Sequence, residues 1–155
     1  MWLDTLKEEH YRTLYEIMLR AEPWNICSFE QFKTIASARS GYVIVTPTGE
    51  IVGCISFSDL VPDTNIIIHC FVGEKYRRRW VTRQSLKTIA DYVFSTLHLR
   101  RMSGYSIEGI SDIAGEFLLK LGFQHEGTIR HGRKIGDSFY NVKIYGLLKE
   151  ECRWR

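Results

Sequence analysis

Four arginines, Arg77, Arg78, Arg79 and Arg83, fall within seven residues, between the apolar run 66–72 and a helical pattern. A guanidinium group is planar, permanently charged and able to donate two parallel hydrogen bonds to a phosphate or carboxylate. A helix N-terminus adds N–H groups without intrahelical partners and the positive end of the helix dipole. Such a basic cluster can hold a polyanionic small molecule or a nucleic acid. A solvated basic face is the plainer reading of the same residues. Few other groups in this region can do chemistry. His69 lies inside the apolar run, and Ser106 and Glu108 lie at the end of the strand expected after the helix. His69 is either a proton acceptor near neutral pH or a buried, hydrogen-bonded structural histidine.

Two more basic groups, Arg130 with Arg133 and Lys134, and Arg153 with Arg155, leave a nucleotide or nucleic-acid partner as an alternative. A net charge of only +3 over 155 residues gives that alternative little bulk support. No RNP-type, zinc-finger or helix-turn-helix signature accompanies it.

Composition bounds the rest. Apolar residues make up 45% and charged residues 25%, the balance of a soluble globular protein. No linker or repeat divides the chain, so residues 1–155 read as a single domain. No apolar run approaches the roughly 20 residues a bilayer span needs, and no membrane partner is expected. The first nine residues lack the basic and apolar pattern of a signal peptide, which points to the cytoplasm. Cys27, Cys54, Cys70 and Cys152 show no C-x-x-C spacing and read as buried, reduced thiols, Cys54 and Cys70 lying inside apolar strand patterns. The histidines at 10, 69, 98, 125 and 131 are not paired at ligand spacing, so no metal site is expected.

The positioning elements follow from periodicity. Tyr11, Leu14, Tyr15, Ile17 and Met18 mark one face of a helix from about 6 to 20, and Ser28 with Gln31 opens a second as a capping box. Residues 42–46 and 51–57 form a hairpin around Pro47–Glu50, and 66–72 reads as a central strand covered on both faces. Leu86, Ile89, Ala90, Val93, Phe94 and Leu97 give the clearest helix. A strand at 100–106 follows, then a short helix capped by Ser111 or Asp112, with Ile113, Ala114, Phe117, Leu118 and Leu121 inward and Gly122 at its end. Strands at 123–130 and 139–148, joined by a charged loop at 131–138, finish the chain, and residues 1–3 can add a short first strand. The strand, helix, strand passage demands a right-handed parallel crossover. The fold class is α/β, a mixed and mostly antiparallel sheet with a central parallel pair and helices on both faces.

That order, with four local features, resembles the GNAT superfamily of acyl-CoA-dependent N-acyltransferases, in particular the branch that acetylates ribosomal-protein N-termini. The features are Phe71-Val-Gly-Glu-Lys-Tyr-Arg-Arg-Arg-Trp-Val-Thr-Arg83 with the helix behind it, Ala90-Asp-Tyr-Val-Phe94, Leu118-Leu-Lys-Leu-Gly-Phe123 and Glu126-Gly-Thr-Ile-Arg130. They cover roughly residues 40–148.

The resemblance implies an N-acetyltransferase that takes acetyl-CoA, or a related acyl-CoA, as co-substrate, needs no metal, and acts as a monomer or homodimer on a primary amine. It implies donor contacts from Phe71, Val72 and Gly73 to the pantetheine arm, and from Arg77, Arg78, Arg79, Trp80, Val81, Thr82 and Arg83 to the pyrophosphate, with the amides of 79–83 facing it. Splaying of strands 66–72 and 100–106 would form the slot. The family's motif is Gln/Arg-x-x-Gly-x-Gly/Ala; here Arg77 matches, while Trp80 and Thr82 replace the two small residues. Trp80 then stacks on the adenine or lies along the groove; in the competing reading these side chains fill the slot, leaving a catalytically silent interaction protein. Ser111 and Ala114 align with the family's Asn and Ser, Ser111 as a further donor contact, and Leu118 aligns near its acid Tyr. The strand before the turn carries no Glu, which leaves His69, Ser106 and Glu108 as the candidate catalytic side chains.

Overall fold

Strand pairing near the N-terminus sets the first layer. In a computed structural model describing residues 1–155, β1 (Trp2–Thr5) lies antiparallel to β2 (Ser40–Val45), with Trp2 opposite Val45. Between them, α1 (Tyr11–Ala21) buries Tyr11, Leu14, Met18 and Ala21, the spacing of one helical face. It starts later than periodicity predicts, because residues 8–10 tighten into a 3-10 turn with the Lys7 N–H donating to His10 Nδ1. α2 (Phe29–Ser37) opens on the expected capping box: Gln31 N–H donates to Ser28 Oγ at 3.1 Å, and Ser28 N–H to Gln31 Oε1 at 2.8 Å. Phe32 and Ala36 of α2 join the α1 residues over Val43, Val45 and Cys54. Burying the larger of these side chains, such as Leu14, Met18 and Phe32, stabilises by about 1.5–3 kcal/mol each.

β3 (Ile51–Val61) and β4 (Asn65–Val72) continue the sheet, whose order is β1-β2-β3-β4 followed by β5 (Arg101–Ile107), β7 (Ser138–Leu148) and β6 (Gln124–Ile135). One neighbouring pair is parallel, β4 with β5, from Asn65 opposite Arg101 to Ile67 opposite Ser103. The mixed, mostly antiparallel sheet is the one the crossover argument predicts. β4 is less covered than its apolar run suggests: Ile66 and Val72 are buried, the residues between them mostly half-buried, and Cys70 exposed. All four thiols are free, but only Cys54 and Cys152 are buried, which corrects the expectation for Cys27 and Cys70.

The chain forms two compact units, residues 1–59 with 68–89, and residues 60–67 with 90–155. In the second, β5 pairs antiparallel with β7 from Arg101 opposite Leu148 to Ile107 opposite Val142. α3 (Arg83–Ala90) runs on as a π-helical stretch, Asp91–Thr96, where Leu97 N–H donates back to Tyr92 C=O. α4 (Asp112–Lys120) ends in a Schellman motif: Gly122, at φ +97°, donates to Leu119 C=O and Phe123 to Leu118 C=O. Its inward face is the predicted one in part: Phe117, Leu118 and Leu121 are half-buried. Ile113 and Ala114 are exposed, and Gly115 makes the buried contact instead.

The expected loop 131–138 is a continuation of the β6–β7 hairpin. An irregularity between Ile129 and Arg133, with His131 at φ +52°, absorbs extra residues. Gly136 at φ +60° then lets a two-residue turn place Ile135 opposite Ser138.

Candidate functional site

The segment from β4 to α3 is built by local hydrogen bonds. Gly73 N–H donates to Val52 C=O at 2.9 Å, which ends the strand. A 3-10 turn at Glu74–Tyr76 is tied down by Tyr76 Oη donating to Glu50. Arg78 then adopts φ +67°, the left-handed region that residues other than glycine enter at a cost of about 1–2 kcal/mol. This reversal keeps Arg77, Arg78 and Arg79 exposed while Trp80 turns inward, to 3% exposure. The indole therefore offers no face to a nucleobase, and the stacking role expected for Trp80 is withdrawn. Burying that ring is also how the turn accommodates a bulky residue at a position of small ones.

Thr82 caps α3. Ser85 N–H donates to Thr82 Oγ1 at 3.1 Å and Thr82 N–H donates to Ser85 Oγ at 2.9 Å, a reciprocal pair of the capping-box kind. The Ser85 hydroxyl also donates to Trp80 C=O at 2.8 Å. Arg79 N–H is taken by Tyr76 C=O, and Val81 N–H by Arg78 C=O. Of the five amides at 79–83 that the sequence offers to a phosphate, those of 79, 81 and 82 are thus already satisfied within the chain. Helix geometry leaves the first-turn N–H groups of Arg83 and Gln84 without intrahelical acceptors. These two amides and the positive helix end lie beside four exposed arginines, of which Arg77 also donates from Nη2 to Ala21 C=O at 3.4 Å. The donor set fits a pyrophosphate through side chains more than through a glycine-lined backbone.

The second group of interest is on β3 and β4. His69 is half-buried, and its Nε2 lies 2.6 Å from Ser58 Oγ. Ser58 Oγ donates in turn to Asp59 Oδ2 at 2.6 Å. Burial, and then the nearby Arg39 guanidinium, pushes the His69 imidazole down to about 4. Its ring is neutral at pH 7.

The remaining candidates are scattered. Phe71 packs edge-on to Phe32 at 6.5 Å, Val72 is buried and Gly73 half-buried. Ser106 is 2% exposed and spends its hydroxyl on Tyr145, 3.2 Å away, so it presents nothing to a substrate. Glu108 is exposed, accepts from Asn141 Nδ2 at 3.0 Å and pairs with Lys143. Ser111 accepts from Ile107 N–H at 2.7 Å, and this, rather than a side-chain cap, is its role at the start of α4. The structure brings together Arg77, Arg78, Arg79 and Arg83 in one turn, while His69, Ser106 and Glu108 each have different partners. Sequence reasoning missed Ser85, although Thr82-x-x-Ser85 is legible as a cap. It also missed Ser58, Asp59 and Arg39, for which nothing local signals a partnership with His69.

Residues 3–123 match the sequence profile described as the acetyltransferase (GNAT) family. The uncharacterized N-acetyltransferase p20 of Bacillus licheniformis is 26% identical over 110 residues, which cover 70% of this chain and 61% of that protein, so the match spans under two thirds of that relative's length. Among solved structures, a point mutant of the spermidine N-acetyltransferase SpeG from Vibrio cholerae superposes with a TM-score of 0.80 at 15% identity, covering 97% of this chain and 96% of that one. An acetyltransferase of the GNAT family from Bacillus anthracis superposes with a TM-score of 0.75 at 14% identity, covering 96% and 95% of the two chains. At such identities these two likenesses establish the fold alone. Among the helices none is long and apolar enough to cross a membrane.

Proposed function

The chain belongs to the acetyltransferase (GNAT) family, and from that premise we propose that it transfers an acetyl group from acetyl-CoA to a primary amine by direct attack. The observation that carries this reading is the capped N-terminus of α3, with four exposed arginines around its first turn. Arg77, Arg78, Arg79 and Arg83 would hold the diphosphate of the donor through charge-assisted, bidentate bonds, and the amides of Arg83 and Gln84 would add the helix-end contribution. Phe71, Val72 and Gly73 would run beside the pantetheine arm. Acetyl-CoA supplies the acyl group as an activated thioester.

His69 is the residue we assign as proton acceptor. Its neutral ring can take the proton that the amine nitrogen loses as the new amide bond forms and the C–S bond breaks; that proton ends on the departing thiolate. Ser106 and Glu108 are left out of this assignment, since one is buried against Tyr145 and the other pairs with Asn141 and Lys143. The whole of residues 1–155 acts as one catalytic domain in this reading. Four free thiols suit a reducing compartment such as the cytoplasm. A polyamine is the first acceptor to try, because a spermidine N-acetyltransferase shares the fold.

Calorimetric titration of CoA and acetyl-CoA tests the proposal. Wild type should bind both, and the Arg77→Ala, Arg79→Ala double variant should bind about 10- to 100-fold more weakly, the loss of one or two charge-assisted contacts. Absence of binding heat and of thermal stabilisation by CoA in the wild type would overturn it.

A further inference from the structure

The Ser58 hydroxyl has one hydrogen and two neighbours at 2.6 Å, and counting that hydrogen settles which way the chain of bonds runs. An Asp59 carboxylate only accepts, so the Ser58 hydrogen points to Asp59 Oδ2. His69 Nε2 must then supply the hydrogen for its own bond to Ser58 Oγ. A neutral imidazole carries a single N–H, so Nδ1 is left as the bare acceptor nitrogen. The bond to Ser58 occupies Nε2 alone, and Nδ1 is not a buried atom left without a partner. Resting on the reading of His69 as the proton acceptor, we propose that Ser58 and Asp59 are positioning residues that lock His69 in its Nε2–H tautomer and thereby aim Nδ1 as the base.

Two further observations support this. Asp59 sits at φ +54°, a left-handed conformation that costs stability and has no glycine to relieve it. The charged groups facing the ring are Arg39, between α2 and β2, and Asp59 itself, with burial the leading influence. Burial and Arg39 together keep the ring neutral, the only state in which a tautomer is defined.

The test is long-range ¹H–¹⁵N correlation spectroscopy of the His69 ring at pH 7, in the full chain. Wild type should show Nε2 as the protonated, pyrrole-type nitrogen and Nδ1 as the pyridine-type one. Ser58→Ala should give a mixture of tautomers, and Ser58→Thr, which keeps the hydroxyl, should restore the wild-type pattern. A protonated Nδ1 in the wild type, or an unchanged pattern in Ser58→Ala, overturns the proposal. In acyl-transfer assays Ser58→Ala should lower kcat on the order of tenfold with KM unchanged, and Ser58→Thr should recover it. A tautomer shift with no change in kcat overturns the positioning role. His69→Gln separates the two ideas: full activity there defeats His69 as base, whereas the ring spectra judge the lock on their own.

Discussion

The Cα of Gly115 in α4 stands directly over the hydroxyl of Tyr145 in β7: a methyl group added at Gly115 would overlap the phenolic oxygen and lie 2.9 Å from Ser106 Oγ. This contact seats α4 on the strands beneath it. Gly115→Ala should therefore destabilise the protein by about 1–3 kcal/mol, the usual cost of forcing extra volume into a packed site. Urea unfolding checks it as a lower midpoint at unchanged slope. Pairing Gly115→Ala with Tyr145→Phe removes the overlapping oxygen and should recover part of the loss. A Gly115→Ala midpoint equal to wild type would show that the helix shifts freely.

The cap on α3 is a second point of attack. Thr82→Val removes the oxygen that accepts the Ser85 N–H and should cost about 1 kcal/mol, within the range for lost N-caps. Arg79→Ala, an exposed side chain in the same turn, should stay within about 0.5 kcal/mol of wild type. Thermal melting of the two variants side by side separates them. Equal melting points would mean that the cap does not hold the helix end.

His69 links stability to pH. Its imidazole is pushed from the ordinary value of 6.5 down to about 4 in the fold. Between these values the unfolded chain binds a proton that the native chain does not, so native stability from this group is complete above about 6.5 and falls as pH drops towards 4. His69→Gln should flatten the unfolding free energy over that window relative to wild type. Parallel urea titrations from pH 4 to 7 measure the difference. Curves that stay parallel across the window would contradict the neutral buried ring.

Much of the architecture was legible because its causes are local. The Ser28–Gln31 box and the Gly122 stop lie within a few residues of the amides and carbonyls they satisfy. Hydrophobic spacing located α1 and α3 for the same reason. In the sequence the hairpin after Arg130 looks like a loop, because charge and glycine content hide a strand whose pairing is made across to residues 138–140.

The amino-acid order alone determined the succession of strands and helices and the basic turn ahead of α3, since turn chemistry and side-chain periodicity act over a handful of positions. Tertiary structure alone decided that Trp80 folds inward, that Gly115 rather than Ile113 meets the sheet, and that His69 bonds Ser58 from 11 residues away. Those outcomes depend on which atoms compete for one buried volume or one hydrogen, and that competition exists only once distant strands lie side by side.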